Sequence, residues 1–230
     1  MCSDVFMLVR FDRSMLQAFR NSMVRSKSVL NNYGGRWLTI AKEATVVDGD
    51  WPMRKTIAIL SFPNRERARM WFQSDPIAKQ QDWLGGVDVV IVPLQYTAPR
   101  EKDTFVLLDA GVMDEERFLN EYVNAQIDTL RENGASCYVV ASKVHENLRG
   151  LWVPRFIVMH QFPSYEGAVR YYRNGKFHFN IKKGIKYQLS FSNSIETGEY
   201  GRFANSRFAS SVSTLVIFRH EACDLCERIG

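Results

Sequence analysis

Apolar and polar positions along the chain fall into short runs of two kinds, and the runs come in the same order twice. Val5-Phe6-Met7-Leu8-Val9 is a continuous apolar stretch of strand length. Leu16, Phe19, Met23 and Leu30 follow at helical spacing, Ser14 and Gln17 have the spacing of a capping box, and Gly34-Gly35 supplies a stop. Trp37 to Val47 and Lys55 to Phe62 read as strands around an Asp48-Gly49-Asp50 turn. Pro63-Asn64 opens a second helix carrying Ala68, Trp71 and Phe72, and Val87 to Val92 reads as a last strand. The predicted order is β-α-β-β-α-β.

The second half repeats this pattern. Thr104 to Leu108 is strand-like; Asp114-Glu115-Glu116 puts carboxylates at the positive end of a helix whose expected buried stripe is Leu119, Val123, Ile127 and Leu130. Asn133-Gly134 ends it. Cys137 to Val144 and Arg155 to Phe162 predict a central hairpin, Ser164 a helix cap, and Ile185 to Phe191 a closing strand. At a constant offset of 100, Phe62-Pro63-Asn64, Ala68 and Trp71-Phe72 match Phe162-Pro163-Ser164, Ala168 and Tyr171-Tyr172. Gly34, Ala41 and Ser74 match Gly134, Ala141 and Asn174 in the same register. A register shared over so many positions implies two copies of one structural unit.

Ile57-Ala58-Ile59-Leu60 and Phe156-Ile157-Val158-Met159 are apolar on both strand faces, whereas a half-exposed antiparallel strand alternates. Helices of a β-α-β-β-α-β unit cover one face only, so the other copy is expected to cover the second. The expected fold is α+β: two ferredoxin-like units, residues 1–99 and 100–194, packed sheet to sheet as a single-chain pseudo-dimeric α/β barrel. Residues 195–230 are expected to form an extension with a short strand, Thr214 to Phe218, that pairs with a sheet edge or covers a barrel end.

The Phe-Pro-Asn/Ser helix entry, with its alanine and aromatic pair and the glycine before the second strand, resembles the domain of unknown function 1330 family. The resemblance covers roughly residues 4–94 and 103–192 and implies the dimeric α/β-barrel superfamily, with two barrel partners fused into one chain. Ser61 and Gln161 stand where family members carry an acidic residue, and Asp75-Pro76-Ile77 and Gly175-Lys176-Phe177 replace the family's tyrosine and arginine.

Charge refines the picture. The net charge is +5 and the isoelectric point near 9.0. Arg13, Arg20, Arg25 and Lys27 mark the first long helix, opposed only by Asp12, while Glu101 to Glu132 holds nine acidic residues against Lys102, Arg117 and Arg131. These oppositely charged helices, or the C-terminal tail, could dock a protein partner. Lys176, Lys182, Lys183 and Lys186 alternate with Phe177, Phe179 and Tyr187, a pattern that suits single strands. The aliphatic Ile57 to Leu60 run lacks the aromatics of an RNA-recognition motif, which argues against nucleic acid. No apolar run approaches the roughly 18 residues of a membrane span, and no basic region precedes Val5. A soluble cytoplasmic protein, with no membrane partner, is expected.

Candidate chemistry is sparse. His160 stands where the first copy has Leu60, so it is the catalytic candidate; a hydrogen-bonded core histidine is the competing reading. Trp37 and Tyr138 could stack on a planar ligand inside the barrel, and Arg10 could meet an anionic ligand at its mouth. His220-x-x-Cys223-x-x-Cys226 has two thiolates and an imidazole at metal-ligand spacing but no evident fourth ligand, so no metal is assigned. No cofactor is expected. The leading reading is a small-molecule-binding protein or cofactor-independent enzyme with its pocket between the sheets. The alternative is a protein-interaction module with a barrel filled by side chains.

Overall fold

The computed structural model describes residues 4–74, 86–94, 104–110, 114–143, 146–154, 156–173 and 214–220. The first unit runs β1 (Val5–Asp12), α1 (Leu16–Asn32), β2 (Arg36–Asp48), β3 (Lys55–Phe62), α2 (Arg65–Ser74) and β4 (Asp88–Pro93). The second runs β5 (Thr104–Ala110), a helix α3 in three consecutive pieces (Glu115–Arg117, a π-helical Phe118–Val123, and Asn124–Glu132), β6 (Ser136–Lys143), β7 (Glu146–Arg149), β8 (Phe156–Phe162) and α4 (Tyr165–Arg173). The last described strand is β9 (Thr214–His220).

All nine strands belong to one antiparallel sheet in the order β6-β8-β5-β9-β2-β3-β1-β4-β7. Its two ends, β6 and β7, are consecutive stretches of chain separated by residues 144–145, so the sheet closes on itself. Together they occupy the place that the single long β2 holds in the first unit. Each unit's second strand pairs with the fourth strand of the other: β2 with β9, and β7 with β4. Joining the two ends through the chain shortens the edge open to unwanted strand pairing.

The position beside β5, expected for Ile185 to Phe191, is held by β9, which runs antiparallel to β5 from Thr104↔Arg219 to Asp109↔Thr214. β8 occupies the other side of β5, so both of its edges are taken. Ile185 to Phe191 lies outside the described residues. The short strand expected from Thr214 to pair with a sheet edge or cover a barrel end thus pairs with both β5 and β2. Val216, Ile217 and Phe218 are apolar on both faces, as an inner barrel strand must be.

Three apolar clusters follow from strand alternation. Phe6, Leu8, Ile57, Ile59, Val90 and Val92 of the first unit meet Phe105, Leu107, Ile157, Met159, Val216 and Phe218 inside the barrel. Met7, Val9, Leu60 and Phe62 face α1 and α2 on one outer side. Val106, Val158 and Phe162 face α3 and α4 on the other. Trp71 and Tyr171 anchor the second helix of each unit, and Asn64 and Ser164 cap those helices by accepting from the amides of Arg67 and Gly167 at 2.9 and 3.1 Å.

Two local expectations are corrected. The Ser14–Gln17 capping box does not form. The Asp12 carboxylate, the stronger acceptor, takes both the amide and hydroxyl of Ser14 at 2.9 and 2.7 Å, and a 3-10 turn precedes α1. In α3 the buried stripe is Phe118, Tyr122, Val123, Gln126 and Leu130, with Leu119 and Ile127 only half-buried. Register explains this change: β5 lies 99 positions after β1, but Leu130 lies 100 after Leu30. The π-helical turn absorbs the one inserted residue and turns the phase of the helix.

Side chains also clasp the seams. Arg69 of α2 forms a forked ion pair with Glu146 of β7, the shortest bond being 2.7 Å, and Thr45 of β2 hydrogen-bonds Tyr165 of α4. Deleting residues 214–230 removes β9 and bares the edges of β5 and β2 together. The truncated chain is expected to leave the soluble monomer fraction, read by size-exclusion chromatography. A stable monomer would show that closure by β9 is dispensable.

Candidate functional site

One end of the barrel gathers charged side chains on inward-facing strand positions. Phe6 and Leu8 point inward, so Arg10, two positions on, takes the same face near the end of β1. Its Nε donates to Asp88 Oδ2 at 2.8 Å, with the two side chains 14% and 7% exposed. Asp88 begins β4, and its Oδ1 accepts from the backbone amides of Leu151 and Trp152 at 2.8 and 2.9 Å. A carboxylate of the first unit thus holds the β7–β8 loop of the second. Gly150 makes the approach workable. Its φ is +88°, and a Cβ there would lie 2.7 Å from Asp88 Cα and from the Val87 carbonyl oxygen.

The latched loop delivers Trp152, and the matching β2–β3 loop delivers Trp51. The two indoles meet edge to face with centroids 5.8 Å apart and cap this end of the barrel. The Arg10 guanidinium lies over both rings, 4.6 Å from Trp152 and 5.4 Å from Trp51. Trp51 Nε1 donates to the Lys55 carbonyl oxygen at 3.0 Å, and Trp152 Nε1 donates to Asp109 Oδ2 at 2.9 Å. Burial raises the pKa of the Asp109 carboxyl; the Trp152 hydrogen bond and the nearby Arg10 charge offset this only in part.

Register makes the chemistry of this end legible. Arg10 pairs with Asp88 as Asp109 pairs with Thr214, so Arg10 and Asp109 occupy equivalent positions, as do Asp88 and Thr214. One backbone frame therefore carries a cation in one unit and a buried carboxyl in the other. Thr214 mirrors the latch with a longer bond of 3.4 Å to the Asp50 carbonyl oxygen.

The other expected site residues fall elsewhere. His160 does not face the interior. It sits on the helix side, buried, with Nδ1 hydrogen-bonded to the Tyr172 hydroxyl, and burial lowers its pKa from 6.5 to about 4. It is a core residue: His160 and Tyr172 replace Leu60 and Phe72 of the first unit, a polar pair for an apolar one. Trp37 also lies on the helix side, edge to face with Phe19 and Trp71 at 5.4 and 6.3 Å, and does not line the barrel. Its register equivalent is Cys137, because both stand opposite the Leu60/His160 position. Tyr138 and His220 lie in β6 and β9 at positions whose side chains are outside the described set; Cys223 and Cys226 lie outside it altogether. Among the described residues no three His, Cys, Asp or Glu side chains are grouped to hold a metal, and no helix is long and apolar enough to cross a membrane. Asp88, Asp109, Trp51 and Trp152 were missed by sequence reasoning. A tryptophan in each of two equivalent hairpin loops was the available signal.

With the geometry in place, comparison with known families is informative. The family model described as Domain of unknown function (DUF1330) matches residues 4–92 and again 103–183, most of the chain. The chain belongs to this family. The first matched segment spans β1 to β4 and the second β5 to α4, with β9 beyond it, so the protein is a tandem pair of family domains fused into one barrel. Solved structures share the architecture over nearly the whole chain. A proposed monooxygenase from Fusobacterium nucleatum is similar at a TM-score of 0.51, with 8% identity and 95% of each chain covered. A proposed monooxygenase from Lactobacillus acidophilus gives 0.51 at 10% identity, covering 94% of this chain and 96% of its own. An anthrone oxidase-like protein gives 0.51 at 11%, covering 95% and 92%. These are dimeric α/β-barrel proteins, and at such identities the likeness is one of fold. Comparison with curated proteins gives no match.

Two outcomes test the geometry. Gly150→Ala forces a left-handed backbone onto a residue with a Cβ and pushes it into Asp88, lowering stability by at least about 1–2 kcal/mol. Hydrogen exchange should show Leu151 and Trp152 amides losing protection first. For His160, acid is the probe. The unfolded chain takes up a proton below pH 6.5 that the buried imidazole refuses down to about pH 4, so stability falls across that window. The His160→Leu/Tyr172→Phe double variant, which installs the first unit's pair, should lack that slope in pH-dependent denaturant unfolding.

Proposed function

We propose that this protein binds a small molecule at the tryptophan-capped end of the barrel, between the two sheets, and that this end is equipped for proton transfer without a cofactor. The observation that carries the reading is the pair of opposite charges, Arg10 and Asp109, on equivalent first-strand positions under Trp51 and Trp152. Arg10 spends only Nε on Asp88; among the described residues its terminal nitrogens have no hydrogen-bond partner. Those nitrogens form a fork that fits the two oxygens of a carboxylate or the oxygen of an enolate. Asp109 has one oxygen bonded to Trp152, and among the described residues the other has no hydrogen-bond partner and is left to a ligand.

The chemical division of labour follows. Arg10 favours negative charge on a ligand oxygen, and the indole faces flank a planar group. Asp109, holding its proton to higher pH than an ordinary aspartate, gives or takes a proton at the neighbouring atom. An enzyme of this kind fits a fold on which proposed monooxygenases are built, and a soluble cytoplasmic setting belongs to the same proposal. A second reading has its own support. The barrel interior is packed with apolar side chains, and Met53, Leu151 and Val153 stand 94%, 96% and 66% exposed on the two loops at this end. Such tips suit a protein-interaction surface.

Tryptophan fluorescence titrated with small carboxylates and β-diketones separates the two. Arg10→Gln is expected to weaken binding roughly tenfold to a hundredfold, the range for a hydrogen bond to a charged group. Asp109→Asn should keep binding but lose deuterium exchange from solvent into the bound ligand. It should also be the more stable protein at neutral pH. The folded state of the native protein holds the Asp109 proton above pH 3.8, where the unfolded chain has lost it, and that advantage disappears as pH rises. If no compound perturbs the fluorescence and Arg10→Gln merely lowers stability, the interaction reading stands instead.

A further inference from the structure

The helix side of the first unit carries an unmet chemical demand of its own. Trp37 Nε1 and Trp71 Nε1 are both shielded from solvent, and neither has a hydrogen-bond partner among the described residues. An indole nitrogen only donates, so neither group can meet its need by turning end for end. The third buried polar atom without a partner, Gln126 Oε1, differs in this respect. Its amide can rotate and present the oxygen to the Tyr122 hydroxyl, with which Gln126 is already bonded. A buried N–H left unpaired costs roughly 1–3 kcal/mol, and two on adjoining rings double the demand for an acceptor.

The surroundings say what kind of acceptor fits. The indoles stand edge to face at 6.3 Å, within the span of one small molecule. Phe19 and Phe62 adjoin them at 5.4 and 5.5 Å, and Phe11 stacks on Phe19 at 4.3 Å. Ring faces offer an N–H only a weak contact. The rings that adjoin the two indoles carry no charge, so an anion placed among them would lose hydration that they cannot replace. A neutral oxygen on a flat apolar frame has no such penalty. Trp71 is 4% exposed, but Trp37 is half-buried, which puts the approach on the Trp37 side. The second unit has Cys137 and Tyr171 at these positions, so it does not repeat the feature.

We propose that the first unit holds a separate small-molecule site between α1, α2 and its sheet, in which Trp37 and Trp71 donate to the carbonyl oxygen of a neutral planar ligand. The site lies on the opposite face of the sheet from Arg10 and is independent of the barrel-end reading.

The test uses the full chain, nitrogen–proton correlation spectra of the indole N–H groups, and two probes of one shape: fluorenone, which has a carbonyl, and fluorene, which lacks it. Trp37→Phe and Trp71→Phe assign the resonances. Fluorenone is expected to move both peaks with one common dissociation constant, and fluorene to move neither. Each phenylalanine variant should weaken fluorenone binding about fivefold to tenfold, while Arg10→Gln and Asp109→Asn leave it unchanged. Should either tryptophan variant unfold, the paired shifts in the native protein still decide. The proposal is overturned if fluorenone and fluorene act alike, if neither acts, or if both indole protons show cross-peaks to a resident water that fluorenone does not displace.

Discussion

A four-stranded sheet with helices on one side leaves its other side to water, and here that side carries Phe6, Leu8, Ile57, Ile59, Val90 and Val92. The second sheet has the same problem with Phe105, Leu107, Ile157 and Met159. Burial of each inner face against the other is the constraint on which the rest of the molecule depends. Each fully buried side chain of this size contributes on the order of 1.5–3 kcal/mol relative to exposure. It explains why the units do not act as beads on a string, why the second strands are long enough to cross the seams, and why β9 is apolar on both faces.

Closure also determines where chemistry can arise. Strand alternation commits inward positions to a shared interior, where a charge is costly unless it stands near an end of the barrel. Arg10, Asp88 and Asp109 do so, each near a strand terminus. There the loops of one unit are held by atoms of the other, Asp88 to Leu151 and Trp152 and Thr214 to Asp50. The latch and the candidate site therefore share residues, and the cap over the site is held by the same carboxylate that orients Arg10.

The two copies share one frame, and at two buried places they differ by an exchange of residue pairs. His160 and Tyr172 take the places of Leu60 and Phe72, and Tyr122 and Gln126 those of Ser22 and Ser26. In both exchanges the incoming polar side chains hydrogen-bond each other, His160 to Tyr172 and Tyr122 to Gln126. Trp37 and Trp71 bring donors that no such exchange satisfies, which is why the first unit's helix side stands out chemically despite its apolar composition.

Much was legible from the sequence because periodicity reports local burial. The doubled strand runs of Ile57 to Leu60 and Phe156 to Met159 foretold two-sided burial, and the offset of 100 foretold two units. The helix caps at Asn64 and Ser164 were readable from their positions. Other features required the chain folded in three dimensions. Which strand fills the place beside β5 depends on partners far apart in sequence, and Thr214 to His220 lies 104 positions or more beyond the Ala110 end of that strand. Whether His160 and Trp37 face the barrel or the helices depends on strand register, since a slip of one residue exchanges the faces. The π-helical turn at Phe118 to Val123 moved the buried stripe for the same reason. The grouping of Arg10, Asp88, Asp109, Trp51 and Trp152 is invisible in one dimension: five residues from five separate segments meet only because two twisted sheets close into a barrel.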